Sequence, residues 1–145
     1  MTDISHIIDN IYLGNFESSV DVETLNKYNI CAIVRILDPE MIHDIVREDT
    51  EPNINYHYVE LLDHPSQNIT KHFPQFLKFV NENKNTNILI HCLMGISRSA
   101  SFTALVLVKN YNMDITTALK IIKEKRPNVK PLKEFIQQVI QYTYN

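Results

Sequence analysis

The feature that most restricts how this chain folds is a junction. Asn87–Cys92 is apolar through Ile88, Leu89 and Ile90 and reads as a buried strand, while from Ser97 to about Tyr111 the pattern is helical. Only Leu93, Met94, Gly95 and Ile96 separate the two. A buried strand that feeds a buried helix through so short a loop needs a sheet with helices packed on it. The surrounding text agrees. Ile7-Ile8 and Ile11-Tyr12-Leu13 read as a hairpin broken near Asp9-Asn10 and ended by Gly14. Ser18 or Ser19 caps a helix running to about Lys27, with Val22 and Leu25 on one face. Ile30–Leu37 is a β-branched strand stopped by Asp38-Pro39, and the spacing of Met41, Ile42, Ile45 and Val46 suggests a helix within 40–51. Ile54–Leu62 reads as a strand and 63–68 as a loop. A helix near 70–83 turns Phe73, Phe76, Leu77 and Val80 inward and carries Pro74 in its first turn. Helices near 114–125 and 131–143 flank Arg126-Pro127. Strands alternate with helices early and helices dominate late, so the class is α/β or α+β around one central sheet.

Composition bounds the function. With 145 residues, 44% hydrophobic and 21% charged, the chain is one globular domain, 1–145. A net charge of -3 argues against a general nucleic-acid binder. No apolar run is long enough to span a bilayer, and the first residues have neither a basic n-region nor an apolar h-region. An intracellular location, in the cytoplasm and/or nucleus, is the expectation. Cys31 and Cys92 are too few for a disulfide framework or a thiolate zinc site. The histidines form no HExxH and no i,i+4 pair, so no metal or other cofactor is expected. Cys31, inside an apolar strand, reads as a core thiol; a redox disulfide with Cys92 depends on their distance.

The chemistry sits at the junction: His91-Cys92-Leu93-Met94-Gly95-Ile96-Ser97-Arg98-Ser99. A cysteine that ends a buried strand and enters a helix through a tight loop meets positive potential. The N–H groups of residues 93 to 98 can converge into a nest, and the helix dipole adds to them. Both stabilise a nucleophilic thiolate at Cys92. The same nest suits a phosphoryl group, and Arg98 can return its planar fork to the loop centre for bidentate contact. Gly95 permits positive φ and close approach of a substrate. Ser99 can donate to the sulfur and so ease its departure from a cysteinyl-phosphate, and His91 can order the backbone beside Cys92. The competing reading is a buried structural cysteine with an ordinary capping loop.

HCxxGxxRS resembles the active-site signature of the cysteine-dependent protein phosphatases, and the chain as a whole is similar to their small dual-specificity branch. The flanking text shares the likeness: Asn10-Ile11-Tyr12-Leu13-Gly14-Asn15, Asp63-x4-Asn68-Ile69-x3-Phe73, Ala118, and Lys125-Arg126-Pro127. The resemblance implies an α/β fold with a single central mixed, mostly parallel sheet of about five strands flanked by helices. It also implies a shallow pocket that accepts phosphoserine and phosphothreonine as well as phosphotyrosine, with phosphorylated proteins as partners and no membrane.

Phosphoryl transfer also needs a general acid. Asp63 closes a strand, opens a loop and stands where the resemblance places that acid; Asp38 and His64 are competitors. Departures from the pattern are informative. Arg35 stands where similar proteins usually carry Asn, and either adds positive charge near the loop or pairs with a carboxylate. Leu132 replaces a common Asn, which puts a hydrogen bond to the loop in doubt. Apolar Leu93, Met94 and Ile96 disfavour a phosphoinositide headgroup, and Ser99 disfavours an RNA 5′-triphosphatase. Arg126, in a basic stretch, is either a solvated helix residue or a contact to a second phosphate. A phospho-reader without turnover, a sulfurtransferase and an arsenate reductase are the remaining alternatives.

Overall fold

The computed structural model describes residues 1–144; Asn145, the last residue of the expected domain, lies outside the described residues. Five strands form one mixed sheet in the order β1-β2-β5-β3-β4. They are β1 (Ile4–Ile8), β2 (Ile11–Gly14), β3 (Ile30–Leu37), β4 (Asn55–Glu60) and β5 (Asn87–His91). The β1–β2 hairpin is antiparallel, and Asp9 turns it with φ 45°. The other three ladders are parallel, so β2, β5, β3 and β4 deliver their carboxyl ends to one edge. In open α/β sheets that edge is where ligands bind.

Seven helices connect and cover the strands: α1 (Phe16–Val20), α2 (Val22–Lys27), α3 (Pro39–Val46), α4 (Phe73–Glu82), α5 (Arg98–Asn110), α6 (Ile115–Lys125) and α7 (Lys133–Tyr144). The expected helix from Ser18 or Ser19 to Lys27 is two helices. Asn15 caps the first, its side-chain oxygen accepting from Ser18 N–H at 2.9 Å. Asp21 is extended, which breaks the run, and its carboxylate caps the second by accepting from Thr24 N–H at 3.0 Å. Ser18 and Ser19 are buried inside α1 and donate back to Asn15 O and Phe16 O. Leu25 faces inward but Val22 is 61% exposed, so these two do not share a buried face. A 3₁₀ turn, Thr70–His72, leads into α4.

The sheet separates two apolar layers because side chains alternate along each strand. Ile88, Ile90 and Cys92 face the larger layer, together with Ala32, Val34 and Ile36 of β3. Leu89 and Ile33 face the smaller one. In the larger layer Phe102 of α5 meets Phe73 and Phe76 edge-on, at 5.4 and 5.0 Å between ring centroids. Helix α5 is buried from Arg98 to Leu107. Two of its buried polar residues are satisfied locally, Ser101 and Thr103 donating to the carbonyls of Ser97 and Ser99. Among the described residues no helix is long and apolar enough to cross a membrane.

Cys31 is not the core thiol expected. It is partly exposed, near the start of β3, with its sulfur 3.7 Å from Asn29 O. Arg35, which pairs with His91, lies four residues further along the strand. At about 3.3 Å per residue, roughly 13 Å of strand separates Cys31 from the level of the loop. A disulfide with Cys92 is therefore geometrically excluded.

Candidate active site

Strand β5 is central, and its last residue hands the chain to Cys92, which is 3% exposed. The loop from 92 to 97 then has an unusual property: its carbonyls are all engaged from outside. Cys92 O accepts from His91 Nδ1 at 2.9 Å. Leu93 O accepts from Phe16 N–H at 2.9 Å, and Ile96 O from Lys130 N–H at 2.8 Å. Met94 O and Gly95 O both accept from Arg126, through Nη2 at 3.0 Å and Nε at 2.8 Å. Ser97 O accepts from Ser101 N–H at 2.9 Å, as the first turn of α5 begins. With the carbonyls turned outward, the amides are free to converge, and Gly95 N–H donates to the Cys92 sulfur at 3.3 Å. Ser99 Oγ lies 3.1 Å from the same sulfur. Both groups are able to donate to the sulfur.

Gly95 is obligatory at the apex. Its φ is +70°, and a Cβ would fall 2.5 Å from Gly14 O and 2.6 Å from Arg126 Nη2. Leu93 and Met94 are 45% and 60% exposed and form an apolar rim, with Ile96 half-buried beside them.

Arg98 begins α5, and its guanidinium is tethered through one nitrogen. Nη1 donates to Asp38 Oδ1 at 2.6 Å and to Leu61 O at 2.8 Å. Among the described residues, Nε and Nη2 have no protein acceptor, so one edge of the fork is available to an anion. Asp38 and Leu61 come from the carboxyl ends of β3 and β4, beside the end of β5. Asp38, considered above as an acid, is instead the ion-pair partner of Arg98.

Asp63 stands two residues beyond Leu61 on an exposed loop. The loop is pinned at both ends: Leu62 N–H donates to Gln67 Oε1 at 3.2 Å, and Ile69 N–H to Gln138 Oε1 of α7 at 2.8 Å. His64 Nδ1 pairs with Ser66 Oγ within the same loop, at 2.7 Å.

Arg126 corrects the expectation of a second-phosphate contact. It is 2% exposed, and its whole fork is engaged by the two loop carbonyls, by both carboxylate oxygens of Asp3 and by Ser5 Oγ. It braces the loop from behind. Leu132 supplies the loop contact that its side chain lacks: its backbone N–H donates to Ser97 Oγ at 3.1 Å. Arg35 does both things considered for it. It forms a bidentate pair with Asp49 at 2.8 Å and reaches His91 at 3.1 Å. Asp49 and Asp3 were not singled out from the sequence. A buried arginine in an apolar strand signals a carboxylate partner but not which one; Asp3 carries no local signal. Among the described residues, no cluster of three or more His, Cys, Asp or Glu is arranged to hold a metal ion.

A mixed sheet with a cysteine loop at the carboxyl end of its central strand, closed by an arginine at a helix start, is the architecture that the sequence resemblance implies. The family model of the dual specificity phosphatase catalytic domain matches residues 11–145, and the chain belongs to that family. Human dual specificity protein phosphatase 9 is 31% identical over 140 residues, 94% of this chain and 35% of that protein. Drosophila melanogaster dual specificity protein phosphatase Mpk3 is 30% identical over 134 residues, 91% of this chain and 32% of that one. The chain thus spans about a third of the length of these curated relatives. The DUSP15 crystal structure aligns with a TM-score of 0.83 at 26% identity, covering 97% of this chain and 87% of that one. The human tyrosine phosphatase-like serine/threonine/tyrosine-interacting protein shares the fold, with a TM-score of 0.89 at 23% identity, over 97% and 95% of the two chains.

His91 makes the site acid-sensitive. Burial, and then the adjacent Arg35 guanidinium, push its ring from 6.5 down to about 3. Below pH 6.5 the unfolded chain takes up a proton that the folded chain refuses, so stability is complete above that pH and falls as pH drops toward 3. The slope contributed is up to ~1.4 kcal/mol per pH unit. His57 and His72, held low chiefly by burial, act in the same direction. Urea unfolding at pH 7.5, 6.0 and 5.0 is expected to show this decline, and His91→Asn to flatten it. An undiminished slope in the variant would refute the assignment to His91.

Proposed function

We propose that the chain is a protein phosphatase that hydrolyses phosphotyrosine and phosphoserine/phosphothreonine through a cysteinyl-phosphate intermediate. The observation that carries this reading is the loop itself, whose outward carbonyls leave its amides free to converge beside Cys92, with Gly95 N–H donating to the sulfur. A phosphate reader would need the amides and Arg98 but no nucleophile.

In the first step the Cys92 sulfur attacks phosphorus in line. An S–P bond forms as the P–O bond to the substrate breaks, and Asp63 gives its proton to the departing oxygen. The amides of residues 93 to 98 and the free edge of the Arg98 fork hold the equatorial oxygens throughout. Ser99 supports the sulfur as it regains negative charge. In the second step the Asp63 carboxylate takes a proton from water, whose oxygen bonds to phosphorus as the S–P bond breaks; the electron pair returns to the Cys92 sulfur and inorganic phosphate leaves. The positive field comes from arginine and amides, so no metal takes part. Asp63 is preferred to Asp38 because Asp38 is committed to Arg98. The exposed rim of Leu93 and Met94 offers apolar contact to a peptide and no cation to an inositol phosphate. A reducing compartment, cytoplasm and/or nucleus, suits a mechanism that needs a free thiolate.

Cys92→Ser is expected to abolish turnover of an aryl phosphate, and excess chelator to leave the wild-type rate unchanged; full turnover by the variant would exclude Cys92 as nucleophile. Asp63→Asn should slow alkyl phosphopeptides more than aryl phosphates with good leaving groups, and equal losses would count against the acid role. Arg126→Met is expected to lower kcat roughly 10-fold or more by letting the loop shift, and to do so equally for singly and doubly phosphorylated peptides. A loss confined to the doubly phosphorylated peptide would restore the second-phosphate role. Turnover of phosphoinositides or of triphosphorylated RNA in preference to phosphopeptides would replace protein as the substrate class.

A further inference from the structure

Behind the loop, on the face of the sheet that carries α1 and α3, lies a buried polar cluster that the proposed chemistry does not touch. Arg35 and His91 are register partners on β3 and β5, and both side chains point to this face. Arg35 Nε and Nη2 hold the two oxygens of Asp49, which follows α3, and Tyr58 O–H donates to Asp49 Oδ2 at 2.8 Å. Arg35 Nη1 donates to Ser19 Oγ of α1 at 2.7 Å and faces His91 Nε2 at 3.1 Å. The Arg35 and Asp49 side chains are 2% and 4% exposed.

A guanidinium is only a donor. His91 Nε2 must therefore accept, the ring proton must sit on Nδ1, and Nδ1 must be the atom that donates to Cys92 O. The opposite tautomer would set two N–H groups against each other and leave Cys92 O without its donor. We propose that Arg35 is a positioning residue for the phosphate site: it locks His91 in the neutral Nδ1–H tautomer and, through that proton, fixes the carbonyl from which the loop departs. Asp49 and Tyr58 hold the fork in the orientation this requires, and Asp49 balances its charge.

The charged groups acting on the ring are Arg35 from β3 and Arg98 from α5, both cations that oppose an imidazolium. From α1 it meets the Phe16 ring, at 6.1 Å between centroids, and from β2 its register partner is Gly14. Among the described residues no carboxylate is hydrogen-bonded to it; Asp49 is held by the other side of the Arg35 fork. The ring's two hydrogen bonds, with Arg35 Nη1 at Nε2 and with Cys92 O at Nδ1, select the same tautomer, and Arg35 is the side chain that does so.

The proposal deepens the phosphatase reading, but its first test is independent of turnover. Nitrogen-15 NMR of the wild-type protein should show His91 protonated on Nδ1, accepting at Nε2, and unchanged from pH 8 to pH 5. A ring protonated on Nε2 overturns the proposal outright, whatever any variant does. The second test is Arg35→Met with Asp49→Asn, which removes the guanidinium, leaves no unpaired buried charge and keeps an acceptor for Tyr58. Here His91 should show both tautomers and take up a proton within that pH range. The kcat for an aryl phosphate should fall roughly 10- to 100-fold through loop displacement, with a larger loss at pH 5.5 than at pH 7.5. An unchanged tautomer, or an unchanged kcat–pH profile in the folded variant, would reduce Arg35 to a core ion pair. A wild-type protein with the expected His91 signals but no turnover of any phosphate would sink the functional reading and leave this one standing.

Discussion

Everything at this site depends on which way six peptide groups face. A backbone amide and its carbonyl point in roughly opposite directions, so an inward ring of N–H donors exists only if each carbonyl has a partner outside the ring. The chain supplies those partners from widely separated places: His91 for Cys92, Phe16 for Leu93, Arg126 for Met94 and Gly95, Lys130 for Ile96 and Ser101 for Ser97. No one of them is a large stabilising term, since a net hydrogen bond contributes about 1 kcal/mol. Their joint effect is geometric. They convert a short strand-to-helix connection into a loop whose amides are preorganised beside the Cys92 sulfur.

The fold makes that possible through parallel strands. Because β2, β5, β3 and β4 run the same way, their carboxyl ends meet at one edge. The segments that leave those ends are then the loop's neighbours. The end of β2 gives Gly14 and Phe16, that of β3 gives Asp38, and that of β4 leads to Leu61 and Asp63. The antiparallel hairpin adds β1 on the outside, and with it Asp3 and Ser5 for Arg126. Arginine is used twice here in different ways. Arg98 keeps one edge of its fork open to an incoming anion, whereas Arg126 and Arg35 are buried and closed, each with a carboxylate to balance it.

How much of this can be read along the sequence follows from the range of the interactions. The loop is local, and its residues Cys92, Gly95, Arg98 and Ser99 were legible in type and spacing, as were the five strands and the late helices. Caps were less so: Ser18 and Ser19 have the chemistry of helix starts, but Asn15 and Asp21 have the backbone for it, and only conformation distinguishes them. Arg126 was misjudged because a cation among lysines near a helix end looks solvated, while its partners Asp3 and Ser5 lie at the other end of the chain. Asp38 read as a turn residue or an acid, since nothing local shows that β3 ends beside Arg98. Arg35 was legible as an anomaly: charge in the middle of an apolar strand has to be answered by something, here Asp49, Ser19 and His91.

The contact between Asp3 and Arg126 spans 123 positions, and its consequence reaches back to synthesis. A nascent chain released by the ribosome as far as Ser99 already contains the sulfur, the serine and the arginine of the signature. It lacks Arg126, which ties down Met94 and Gly95, and Lys130, which ties down Ile96. The cysteine is therefore made early, but its loop is tied down only once the residue that ends α6 has emerged and met the β1–β2 hairpin. Long-range closure of this kind is slow relative to local structure. The order of this loop is thus tied to the emergence of residues 126–130 rather than to the appearance of Cys92, Arg98 and Ser99.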